Sequence, residues 1–316
     1  MAKLHDLRLM ARVAQLYFQE RHTQSAISGE LNVSQATVSR LLKRAQEEDI
    51  VRITINTPRG TFFDLEAALR QRYGLAEAVV VEADEASEDS ILSALGAAAA
   101  HYVRTTLARD EVIGLSSWSA SLLRMVDNLQ PPQAPADRVI QLLGGTGNPA
   151  VEKHANHLTI RLAQITGATP HLLAAPGLTR SAEGRAILMA EPYVRETLAQ
   201  FADVTLALVG IGALEPSPMI ADSGNRPTPA ERAALAALGA VGDMGLRFFD
   251  AEGRQVRSTI DGRIIGIDLP ELARIPRIVA VAGGLRKVAA IRAAMLGRYL
   301  TVLVTDNHTA AALLSD

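Results

Sequence analysis

Cysteine is absent from the 316 residues, which removes disulfides and thiolate chemistry and suits a reducing compartment. Tryptophan occurs once, as Trp118. No uninterrupted apolar run is long enough to cross a bilayer, so no membrane partner is expected. The opening residues Met1 to Asp6 lack an apolar core followed by a small-residue cleavage site. A secretory signal is therefore not expected, and the cytoplasm is the expected location. Nor is there an excess of one charge: the formal net charge is −2, unlike a protein that coats nucleic acid over its whole surface.

What is present fits an ordinary globular chain, with 48% hydrophobic and 21% charged residues. The length suits one small and one larger domain. The basic residues gather at the start. Lys3, Arg8, Arg12, Arg21, Arg40, Lys43 and Arg44 outnumber Asp6, Glu20 and Glu30 over the first 44 residues. Three helices are expected there. The first carries Leu9, Met10, Val13, Leu16 and Tyr17 at helical spacing, the second starts at an N-cap Thr23, and the third starts at an N-cap Ser34. Asn32 sits where the chain must turn sharply, and asparagine tolerates the left-handed conformation. Residues 50–55 alternate like a half-buried strand, which suggests a wing. The breaker stretch Asn56 to Gly60 sets the expected boundary, giving domains 1–57 and 58–316. A further helix from Phe62 to Tyr73, stopped by Gly74, is read as a connection between the halves.

The third helix makes a physical case for DNA binding. Val38, Leu41 and Leu42 would pack inward, leaving Gln35, Thr37, Ser39, Arg40 and Lys43 on the other face. Gln and short polar side chains near a helix start reach base edges. Arg40, Lys43 and Arg44 suit phosphate anchoring, which sets register and makes affinity salt-dependent. Thr23, Gln24 and Ser34, at the helix starts, complete the candidate interface. Plain structural three-helix modules also exist, so the basic face and the caps carry this reading.

From Ala78 onward short β-branched runs alternate with Ala/Leu-rich helices. Strands are expected at 78–81, 112–115, 139–143, 204–209, 278–282 and 301–305, which argues for a Rossmann-like parallel α/β sheet with helices on both faces. Ligands in such sheets gather at the carboxyl tips of strands, near the point where strand order reverses. The tips here are Ser116, Ser117, Trp118, Ser119 and Ser121; Gly144 and Gly145; Gly210 and Gly212; Gly284 with Lys287; and Asp306. Backbone N–H groups at a helix start and a lysine suit an anion, and Asp243 and Asp306 suit sugar hydroxyls. Together they read as a pocket for a small phosphorylated polyol or sugar. Each piece has a plainer explanation: glycines turn chains, Asp306 can simply cap the last helix, and Trp118 can pack in the core as well as stack on a sugar. Asp243 lies in a segment, 242–249, that reads as a strand or hairpin.

The run Thr23-Gln24-Ser25-Ala26-Ile27-Ser28-Gly29-Glu30-Leu31-Asn32-Val33-Ser34-Gln35-Ala36-Thr37-Val38-Ser39-Arg40-Leu41-Leu42-Lys43-Arg44-Ala45 resembles the SorC family of sugar-binding transcriptional regulators. The resemblance extends over nearly the whole chain. It is carried further by Gly239-Ala240-Val241-Gly242-Asp243, Ala282-Gly283-Gly284-Leu285-Arg286-Lys287 and Thr305-Asp306-Asn307-His308-Thr309-Ala310. It implies an effector domain like the sugar-phosphate isomerases and glucosamine-phosphate deaminases. Ligand contacts are implied in the loop 116–121 and at Asp243 and Lys287. Operator DNA, a small sugar, polyol or sugar-phosphate effector and a homo-oligomer, dimer or tetramer, are the implied partners. Two departures stand out: Asn32 replaces the usual turn glycine, and Ser and Trp fill a loop that is commonly glycine-rich. The second leaves an unphosphorylated polyol open as effector.

Three other readings compete. A sugar-phosphate isomerase or deaminase-like enzyme would need an acid–base pair, and Asp243, Asp306 and His308 do not form an evident one. An NAD-binding sensor would need Gly-x-Gly-x-x-Gly, which Gly144-Gly145-Thr146-Gly147 does not complete. His154 and His157 lie three apart with only Glu152 beside them, too few ligands for a metal site. No metal and no cofactor are therefore expected.

Overall fold

The chain divides into two compact units, residues 1–58 and 59–316. The computed structural model describes residues 2–51, 60–84 and 87–315, without the side chains of 2–5 and 149–154.

In the first unit α1 (Ala2–Ala14) runs into a π-helical turn, Gln15–Gln19, and is followed by α2 (Gln24–Leu31) and α3 (Gln35–Glu47). Met10, Val13, Leu16, Ile27, Val38, Leu41, Leu42 and Ala45 form their shared core. Both expected caps are made. Thr23 Oγ1 accepts from the Ala26 N–H at 3.2 Å and Ser34 Oγ from the Thr37 N–H at 3.1 Å. Asn32 ends α2 in the left-handed region, at φ 54°. The strand expected over 50–55 lies, from residue 52 on, outside the described residues.

In the second unit α4 (Phe63–Tyr73) precedes β1 (Glu77–Val81), and α5 (Glu88–Thr106) leads to β2 (Val112–Leu115). Next come α6 (Ala120–Asn128), β3 (Arg138–Gln141), α7 (Pro149–Thr166) and β4 (Thr169–His171). Two short helices, α8 (Ala182–Ala190) and α9 (Pro192–Ala199), reach β5 (Leu206–Val209). There the alternation is interrupted by β6 (Gly212–Ala213), α10 (Pro218–Ser223), α11 (Pro229–Ala237) and the hairpin β7 (Ala240–Met244) to β8 (Arg247–Asp250). It resumes with α12 (Leu269–Leu272), β9 (Arg277–Val281), α13 (Val288–Leu296), β10 (Val302–Asp306) and α14 (Asn307–Leu314).

Seven strands pair in the order β1-β10-β9-β5-β2-β3-β4, every pair parallel. Its inner strands β2, β5 and β10 are buried along their length, as helices on both faces require, and β2 and β5 hence read as unbroken apolar runs rather than alternating ones. All six expected strands are present. Two features go beyond the sequence reading: the edge strand β4, and a small antiparallel sheet β6-β7-β8, whose β7–β8 hairpin contains the 242–249 segment.

The helix read as a connection belongs to the second unit instead. Glu66 of α4 accepts from the Val80 N–H of β1 at 2.9 Å, and the Tyr73 hydroxyl donates to the Leu313 carbonyl of α14 at 2.7 Å. α4 thus covers an edge that would otherwise be open to pairing.

The chain leaves β2 for β3 and β4 toward one edge, then returns to β5 on the other side of β2 and continues through β9 and β10. Strand order therefore reverses between β2 and β5, where the crossovers diverge and leave a crevice at the carboxyl tips.

Candidate functional site

A cavity of about 500 Å³ fills that crevice. Its floor is the tip of β2 with the start of α6, together with the turn after β5. Its walls come from β7, the turn before α13 and the segment from Leu214 to Ile220 around α10. Eight of the thirteen residues expected to bind an effector line it: Ser116, Trp118, Ser119, Ser121, Gly210, Gly212, Asp243 and Lys287.

The antiparallel sheet delivers Asp243. Gly212 of β6 pairs with it across the ladder, and a Cβ at 212 would come within 2.1 Å of Asp243 Oδ1. Glycine there leaves room for the carboxylate. Oδ2 accepts from the Leu246 N–H at 2.9 Å. Burial pushes the Asp243 carboxyl up to about 6, against the pull of that hydrogen bond and of the Lys287 charge. The same burial, with Arg286 nearby, holds the Lys287 amine below the usual lysine range, while Asp243 and Glu88 act in the opposite sense.

The Ser119 hydroxyl caps α6 and lies against Gly210, where a Cβ would approach it to 2.6 Å. Ser119 Oγ is 3.0 Å from Ser121 Oγ, and Ser121 donates to the Val281 carbonyl of β9 at 2.8 Å. Trp118 is both wall and core: its indole N–H donates to the Gly144 carbonyl at 2.8 Å, and its ring packs with Leu143, Leu178 and Phe248.

Five expected residues lie outside the cavity lining, each with another task. Ser117 is buried and bonded to Thr159 of α7 at 3.2 Å. Gly144 is needed for close packing, since a Cβ there would meet the Ala175 carbonyl at 2.4 Å. Gly145 donates to the Leu173 carbonyl, and its empty side is filled by Gln141 and Asn156. Asp306 caps α14 by accepting from the Thr309 N–H, and its other oxygen accepts from the Gly284 N–H, both at 2.8 Å. Gly284 and Asp306 thereby stitch the tips of β9 and β10 together.

The sequence reading missed the charged rim. Arg232 of α11 meets Glu215 at 3.6 Å, and Arg286 meets Glu88 at 3.7 Å, all four lining the cavity. Arg286 lies beside Lys287 in the turn, so neighbourhood was a usable signal; Arg232 and Glu215 come from the interruption between β5 and β7, whose folding back only the tertiary structure reveals.

In the first unit, Ser34, Gln35, Ser39, Arg40 and Lys43 are exposed on α3, with Thr37 half-buried beside Ser34. Thr23, Gln24 and Gln35 share an open groove with Arg21 and His22. Arg44 is placed differently from the expected phosphate anchor. It bridges α1 and α3 through Asp6 at 2.9 Å and Glu48 at 2.8 Å. His154 and His157 fall on α7, the side chain of His154 outside the described residues. Among the described residues no cluster of metal-ligating side chains occurs, and no helix is long and apolar enough to cross a membrane.

A helix-turn-helix unit joined to a parallel sheet with a cavity at its switch point defines the class of ligand-controlled transcriptional regulators. The sugar-binding domain family (Sugar-bind) matches residues 58–315. The chain is 34% identical to the sorbitol operon regulator of Klebsiella pneumoniae, over 98% of each chain. It is 32% identical to the deoxyribonucleoside regulator of Bacillus subtilis (strain 168), over 98% of this chain and 97% of the relative. The full-length crystal structure of the sorbitol operon regulator SorC from Klebsiella pneumoniae superimposes with a TM-score of 0.74 at 31% identity, covering 98% of this chain and all of that one. The chain belongs to the SorC family of sugar-binding transcriptional regulators. It is a transcriptional regulator and not an enzyme, which settles the isomerase alternative.

Proposed function

We propose that the chain controls a carbohydrate or polyol catabolic operon, and that a small sugar, polyol or sugar phosphate bound in the β2–β5 cavity sets its hold on operator DNA. One observation carries this reading: Asp243 and Lys287 face one cavity at the strand-order reversal. Residues 1–57 act as the DNA-binding domain, with Thr23, Gln24, Ser34, Gln35, Thr37 and Ser39 toward the bases and Arg40 and Lys43 toward phosphates. Residues 58–316 bind effector and hold the protomers together. A palindromic operator needs two-fold protein symmetry, so the working form is a dimer or tetramer in the cytoplasm.

Binding of the full chain to its own upstream DNA tests the proposal. The affinity is expected to fall steeply with salt and to change when an effector is added, and Asp243→Asn is expected to abolish the effector's influence while leaving basal DNA affinity intact. DNA binding that is absent, or indifferent to salt, would sink it.

A further inference from the structure

The bonds around Ser119 and Ser121 assign the hydrogens of these two hydroxyls on the cavity floor. Ser121 has a single hydroxyl hydrogen and donates it to the Val281 carbonyl at 2.8 Å. In the 3.0 Å contact with Ser119, Ser121 therefore accepts and Ser119 donates. The Ser119 oxygen also takes the Leu122 N–H at 3.4 Å. What Ser119 has left for the cavity is one lone pair and no hydrogen. Across from it, Asp243 Oδ2 already accepts from Leu246, and above a pH of about 6 the carboxylate offers only acceptors. This wall reads hydrogens supplied by a ligand.

Charge points the same way. The cavity is lined by four carboxylates and three cations. Both arginines already face a partner, Arg232 with Glu215 and Arg286 with Glu88. Lys287 alone is left to meet an anion, and the Asp243 charge offsets it. A phosphate dianion brings acceptors only, so it would set its oxygens against the Ser119 lone pair and Asp243 in a cavity with no net positive charge, since Asp89 is held by Arg124 and Asp243 offsets Lys287.

Building on the effector-site reading above, we propose that the effector is an uncharged polyol or sugar that presents hydroxyl hydrogens, and not a phosphate group, to the Ser119–Asp243 wall. Hydroxyls fit both sides of the cavity, donating to Ser119 and Asp243 and accepting from Lys287. Ser119 is then the residue that selects against phosphorylated relatives of the effector, because it places a lone pair at the start of α6, where bare backbone N–H groups would otherwise suit an anion.

The test uses the full chain, with Trp118 fluorescence and melting temperature as readouts. Inorganic phosphate is titrated against chloride at matched ionic strength, and matched pairs are compared: glucitol with glucitol 6-phosphate, and ribose with ribose 5-phosphate. Wild type is expected to give no saturable response to inorganic phosphate, and where a pair binds, the free member is expected to bind at least tenfold more tightly. Ser119→Gly is expected to narrow that difference. A saturable response of wild type to inorganic phosphate that disappears in Lys287→Ala, or tighter binding of a phosphorylated member, overturns the proposal. A free polyol or sugar bound equally well by wild type, Asp243→Asn and Ser119→Gly lies elsewhere, and overturns the effector-site reading instead.

Discussion

Asp243 ties stability to pH, and the sign follows from its shift. Its carboxyl is held at about 6 in the folded protein against an ordinary 3.8. The folded state therefore keeps a proton that the unfolded chain has already released. The penalty is absent below the lower value, grows between the two and is complete above the upper one. Asp243→Asn removes it, so the variant should gain up to about 3 kcal/mol at neutral pH and nothing in acid, measured by denaturant unfolding across the range. A gain that does not depend on pH would contradict this origin. Gly212→Ala should act on the same carboxylate by force, since the new methyl group would lie 2.1 Å from Oδ1. A loss of roughly 1–3 kcal/mol is expected, together with loss of effector binding by calorimetry. At this scale the sequence singled out residues that the fold brings to one cavity, as for Asp243 and Lys287. It misled where the task is packing: Gly144 is crowded by the Ala175 and Pro176 backbone about thirty positions away, and Gly145 by the side chains of Gln141 and Asn156.

Caps and turns made the elements of the first unit legible. Thr23, Asn32 and Ser34 punctuate α2 and α3 through bonds to their immediate neighbours, so their role could be read without any tertiary knowledge. Removing the Ser34 hydroxyl with Ser34→Ala should cost the unit about 1 kcal/mol in thermal unfolding, more than the same change at the exposed Ser39. Arg40→Ala and Lys43→Ala should each reduce the slope of log affinity against log salt by about 1, uniformly across DNA sequences. Either variant retaining the full slope would remove that side chain from the phosphate contacts. In the second unit the buried strands announced themselves as apolar runs. β4 did not: it has three residues, contains Pro170 and pairs on one side only, so neither length nor alternation marks it. Arg44 shows the opposite failure. A basic residue near the end of the third helix looked like a phosphate anchor, but it is held by Glu48 at the end of its own helix and by Asp6 of α1, a partner that only the tertiary structure brings close.

At the scale of the whole molecule, the division into two units predicts two unfolding transitions. An effector at about 100 times its Kd should stabilise only the transition of residues 59–316, by roughly 2.7 kcal/mol, which scanning calorimetry separates. A single transition that moves as one would mean that the units do not unfold independently. The architecture was legible from the alternation of strands and helices, whereas the site's far wall was not, because β6 to β8 interrupt that alternation. The crevice itself comes from connectivity, the reversal of strand order between β2 and β5, and no side chain is needed to create it. Meanwhile Gly284 and Asp306, which clasp β9 to β10, stand apart from the residues that line the cavity. The clasp between β9 and β10 is thus separate from the cavity lining. Exchanges at rim residues such as Glu215 and Arg232 should retune what the chain senses with little effect on how it folds, making this sheet a chassis on which new metabolite sensors can be selected.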